Sequence, residues 1–192
     1  CTIFDIIANI NMKLQGEYMS WINYVKAIDL IESNNLDFEF IGKQSELLIE
    51  KAELSLGMKF SKIFHHFLKN YGAGRIDDFE FLGLVDDKLV NHSSLNAISN
   101  TLNRRKENGL PSNYLIIYDR GTEFVYCLDF NNLNEENEPA VVCVYLESDW
   151  SDDFEFDVCS NDFGDFLLEF VEGEIECEEP KLKLTIDVSK IK

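Results

Sequence analysis

The chain has 192 residues, 45% of them apolar, with 15 Phe and only 3 Pro. That supplies one compact domain with a full core and leaves no linker at which a second could begin. Its net charge of −19 repels nucleic-acid phosphate and anionic membrane surfaces, and it attracts basic partners.

In chain order, residues 1–19 read as an N-terminal extension. They lack the charged opening of a secretory signal. The native start is expected near Met12 or Met19, so part of the extension reads as non-native, and a single domain is expected over 20–192. Trp21, Val25, Ile28 and Ile31 open it as a first helix. Leu48, Ala52 and Leu56 then recur at four-residue spacing. Ile63, Phe64, Phe67, Leu68 and Tyr71 mark one face of a second short helix. Ser45 and Ser61 stand where N-cap oxygens belong, and Gly57 and Gly72 where left-handed stops belong.

Phe79 to Val85 is a plausible strand. Leu95, Ile98 and Leu102 form a helical run that ends in Arg104-Arg105-Lys106 before Gly109, where cations suit the helix dipole. Tyr114 to Tyr118 and Phe124 to Leu128 are rich in β-formers around the turn residues Asp119-Arg120-Gly121-Thr122. Ala140 to Leu146 follows as another strand. Ser160 is placed to cap a helix carrying Phe163, Phe166, Leu167, Phe170 and Val171, with Gly173 as its stop. At about 181–188, Leu182, Leu184, Ile186 and Val188 alternate with Lys181, Lys183, Thr185 and Asp187, an extra amphipathic C-terminal strand. The order predicts an α+β fold, a central antiparallel sheet with helices packed mainly on one side.

Several of these segments together resemble the SUKH superfamily, the Smi/Knr-like proteins. Ile49, Glu53, Leu56, Phe60, Phe64, Phe67, Leu68, Gly72 and Gly74 stand at or near that family's opening positions. Ser61 replaces its usual proline and Phe64 its usual tyrosine. Leu115 to Asp129 resembles the family's central hairpin, Pro139 to Val142 the following strand, and Asp165 to Phe170 the closing helix. The resemblance covers roughly Ser20 to Val171 and implies the same fold. Through its bacterial branch it implies an immunity protein that guards against a polymorphic or contact-dependent toxin. Through its yeast members it implies a scaffold or regulator of cell-wall synthesis and signalling.

The charge is unevenly spread. Residues 119–192 hold 21 acidic and 5 basic side chains, a net −16. Within them Glu147, Asp149, Asp152, Asp153, Glu155 and Asp157 partly alternate with Trp150, Phe154 and Phe156. A run of charge is ordinarily a solvated face. An aromatic beside a charge field is also what binding hot spots favour. Glu147, Asp149, Trp150, Asp152, Asp153, Glu155 and Asp157 are therefore the candidate partner-binding residues. The partner expected is a cognate protein toxin with a basic face, and neither nucleic acid nor a membrane is expected as a partner.

Catalytic and metal chemistry have little support. His65 and His66 are adjacent on a helix and point about 100° apart, a poor grip on one metal. His92 has no ligand-like companion near it. Gly72-Ala73-Gly74 lacks the strand, third glycine and helix of a phosphate loop. No catalytic residue, metal or cofactor is assigned. The five dispersed cysteines contain no Cys-x-x-Cys, which suits reduced thiols in a cytoplasmic protein. Cys127 and Cys143 read as small buried residues in strands.

Overall fold

A computed structural model describes residues 19–34, 36–85, 94–119, 124–146 and 156–178. Helix α1 (Met19–Ser33) buries Ser20, Tyr24, Ala27 and Ile31, one stripe at helical spacing. Trp21 and Ile28 are partly buried, whereas Val25, expected inside, is 48% exposed. Its position on the helix, not its apolar side chain, decides that. The first 18 residues of the expected extension and the strand expected at 181–188 lie outside the described residues.

The paired helices follow the sequence closely. In α2 (Glu46–Leu56), Ser45 Oγ accepts from Leu48 N at 3.2 Å and Gly57 ends the helix at φ 71°. Helix α3 (Lys62–Asn70) buries Ile63, Phe64, Phe67 and Leu68. Ser61 holds its N-cap position without a side-chain cap bond. At the other end Gly72, at φ +73°, donates to Phe67 O and Leu68 O. A Cβ there would lie 2.6 Å from Gly42 O and 2.8 Å from Leu84 O, so both backbone conformation and space require glycine.

The strands divide into two antiparallel sheets. The first has the order β1 (Phe38–Phe40), β2 (Gly74–Ile76), β3 (Phe79–Phe81). Strand β1 lacks the length for a sequence signal, and Gly74 opens β2. The second sheet has the order β4 (Tyr114–Tyr118), β5 (Phe124–Leu133), β6 (Pro139–Tyr145), β7 (Asp157–Ser160). Tyr126 pairs with Cys143 across β5 and β6, and Cys143 pairs in turn with Asp157 on β7. Leu82 N donates to Ile117 O at 2.8 Å and Phe79 stacks on Tyr118 at 3.9 Å, so the sheets adjoin through β3 and β4.

Helix α4 (Ala97–Asn108) is capped by Asn96 and stopped by Gly109. Its Thr101 Oγ1 accepts from Ile116 N at 3.0 Å, which ties it to β4. Helix α5 (Phe163–Glu178) packs along α1. Its cap differs from the sequence reading: Asp162 Oδ1 accepts from Gly164 N at 2.7 Å and Asp165 N at 3.0 Å. Ser160 instead closes β7 and donates to Glu169 Oε2 at 2.6 Å. The helix also runs past Gly173, because an exposed glycine costs a helix only about 1 kcal/mol. Phe64, Phe67, Phe81 and Phe163 meet edge-on or stacked at the centre of the core.

Candidate functional site

Of the seven candidate partner-binding residues, Asp157 is described, and it is exposed at the first position of β7. Glu147, Asp149, Trp150, Asp152, Asp153 and Glu155 lie outside the described residues. Strand β7 stands at the end of its sheet and pairs, among the described residues, with β6 alone. A register shift between Val141 and Val142 bends the pair where β7 ends. Val158 is 57% exposed, Tyr145 45% and Phe156 38%. Tyr145 pairs with Phe124 on the neighbouring strand, the rings 6.2 Å apart.

Two cysteines flank this edge. Cys143 is buried and Cys159 exposed, both free thiols. Burial pushes the Cys143 thiol up to about 11, with help from Cys159 and Asp157. Burial also raises Cys159, and the charges of Asp157 and Glu169 add to it. Both thiols are thereby kept protonated and poorly nucleophilic. Two acidic residues stand by Cys159: Asp157, whose backbone oxygen accepts from Cys159 Sγ at 3.6 Å, and Glu169, held at the next residue by Ser160 Oγ.

A concave region about 780 Å³ in volume lies between the β2–β3 hairpin and α4, lined by Arg75, Asp77, Asp78, Glu80, Asn100, Arg104 and Asp119 among others. Its arginines are committed within the fold. Arg75 Nη2 reaches Asp37 Oδ2 at 2.9 Å, and Arg104 grips Asp119 through Nε at 3.0 Å and Nη2 at 2.9 Å. Arg105 donates to the carbonyls of Leu56, Ser112 and Tyr114. Arg104 and Arg105 thus fasten α4 to its neighbours, a use beyond the helix-dipole role expected of the triplet before Gly109.

The adjacent histidines diverge. His65 Nε2 lies 3.0 Å from Glu46 Oε2, while His66 Nδ1 faces the Tyr24 hydroxyl at 3.0 Å and packs edge-on against Trp21. Burial lowers the pKa of His66, and Lys69 lowers it further. His92 lies outside the described residues. Among the described residues, no three His, Cys, Asp or Glu side chains are placed to hold a metal, and no helix is long and apolar enough to cross a membrane.

What the sequence reading missed is that part of the acidic half lies inside. Asp129, Glu138 and Asp162 are each at most 3% exposed. The β5–β6 turn explains the second: Asn134 Oδ1 accepts from Glu136 N and Glu138 N, folding Glu138 back under α3. There its Oε1 accepts from Ile63 N at 3.1 Å and supplies the cap that Ser61 does not. Asp162 Oδ2 accepts from Ser20 Oγ at 2.5 Å and Asn134 Nδ2 at 3.0 Å, so one carboxylate joins α1, the β5–β6 turn and α5. Only the cap position of Asp162, three residues before Asp165, could have been read in the sequence.

A family model of the SUKH group, described as SMI1-KNR4 cell-wall, matches residues 9–172. The match begins before α1 and ends within α5. No curated protein matches the chain.

Proposed function

Because the chain belongs to the SMI1-KNR4 cell-wall family of the SUKH group, we propose that it is a protein-binding module and not an enzyme: a cytoplasmic immunity protein that neutralises a cognate toxin. The observation that carries this reading is the charge of residues 119–192, 21 acids against 5 bases. With Asp129, Glu138 and Asp162 inside, acids still far outnumber bases on the rest of that half. A nuclease toxin must attract a polyanion, so its working face is basic, and an acidic inhibitor competes for that face. Pairs of this kind associate fast by electrostatic steering and bind very tightly. The candidate contact residues are Glu147, Asp149, Trp150, Asp152, Asp153, Glu155 and Asp157.

The test is to inspect the neighbouring genes for a toxin domain and co-express any found with this protein, together with stopped-flow association. Rescue of growth and a stable complex are expected. Asp152→Lys with Asp153→Lys should slow association at low salt, and the difference should shrink as salt screens the charges. No rescue and no complex would sink the reading. The cell-wall wording of the family's description supports a second reading, a scaffold or regulator of wall synthesis. That reading gains if the gene stands apart from any toxin and its loss alters the wall.

A further inference from the structure

The outer edge of β7 has the makings of a backbone docking site. An edge strand presents backbone N–H and C=O groups, here without a ladder partner among the described residues, and proteins blunt such edges with short strands, bulges, charge, proline or a covering element. The strand Asp157-Val158-Cys159-Ser160 is short, acidic at its start and bulged at its end, but it has neither lysine nor proline, and its first three residues are exposed. Val158 offers the apolar contact a docked strand needs, with exposed Phe156 just before it. Asp157 and Glu169 stand at the two ends of the strand, Glu169 held there by Ser160 Oγ.

We infer that β7 receives an extended basic segment of the protein partner as an added antiparallel or parallel strand. This rests on the proposed role as a toxin-binding module and specifies its mode of contact. Main-chain hydrogen bonds would supply affinity, and alternate side chains specificity. The charges choose the occupant. A second copy of this chain would bring Asp157 and Glu169 against their own counterparts, in a protein of net charge −19, and like charges directly opposite destabilise a strand pair. Lysine or arginine at alternate positions of an incoming strand would meet these two carboxylates instead.

The probe is an end-blocked heptapeptide alternating lysine and valine, titrated into the full chain at low salt. Binding is read by amide chemical shifts and hydrogen exchange. Binding with new protection of the β7 amides is expected. Val158→Lys and Asp157→Lys should each weaken it by about tenfold or more, and Asp157→Asn less. A peptide N-methylated at alternate amides keeps the charge but cannot form the ladder, so it should fail to bind. Equal binding of the methylated peptide, or shifts confined to other surfaces, overturns the inference. So does protection of β7 in the free chain, whether by residues 179–192 or by a dimer seen in sedimentation. No toxin enters this experiment, so its result is independent of the growth rescue. Peptide binding without rescue sinks the immunity role alone, and rescue through another face sinks the edge alone.

Discussion

Glu138→Gln should make the protein more stable, and only above mild acidity. Glu138 is 2% exposed. Burial raises its pKa from 4.5 to about 7, and the nearby charges of Asp162 and Glu136 add to the rise. The bond from Ile63 N and the α3 N-terminus favour the anion, but they do not offset the loss of water. Oε2 has no hydrogen-bond partner, and Ser61 Oγ beside it also lacks one in good geometry.

A carboxyl whose folded pKa exceeds its unfolded value holds its proton better in the folded state. Its contribution is therefore fully present below about 4.5 and is lost as pH rises through about 7. A rise of this size corresponds to about 3 kcal/mol. Glutamine keeps an oxygen for Ile63 N, can donate to Ser61, and never ionises. Urea unfolding followed by circular dichroism should show near-equal stabilities at pH 4. At pH 8 the variant should lead by up to about 3 kcal/mol, or roughly 6–12 °C in Tm. A difference between the two proteins that does not change with pH would refute this account. So would a variant weaker at pH 8, which would mean that Glu138 serves as a charged cap.

Two further substitutions probe the joints around the sheets. Gly72→Ala should lower stability by about 2 kcal/mol or more, since a side chain there adds backbone strain to contact with two carbonyl oxygens; chemical denaturation measures it, and a neutral result would mean the α3 exit relaxes freely. Arg104→Ala removes the guanidinium from Asp119, whose side chain is 6% exposed, and should cost about 1–3 kcal/mol. Arg104→Lys should restore only part of that loss, because a single ammonium cannot reproduce the two-pronged contact.

Elements whose information is local were legible in the sequence. The caps at Ser45 and Gly57, the face of Ile63, Phe64, Phe67 and Leu68, and strand β4 follow from residue type and spacing within one element. Such signals act over a few residues, so they survive whatever the rest of the chain does. The family resemblance was legible for the same reason. The end of α5 was misplaced because a glycine only weakens a helix, and packing against α1 overrides it. Strands β1 and β7 carry too few residues for any pattern, and they exist because β2 and β6 offer ladders to pair with.

The candidate site divides the same way. That the second half is acidic is a property of composition, and the sequence determined it. Which carboxylates face water was decided by tertiary structure alone. Glu138 and Asp162 are drawn in because Ile63 N and Ser20 Oγ, 75 and 142 residues away along the chain, need acceptors. A buried donor costs more unpaired than a buried carboxylate costs when it is bonded or protonated. Asp157 is exposed at the first position of β7, the last strand of its sheet among the described residues.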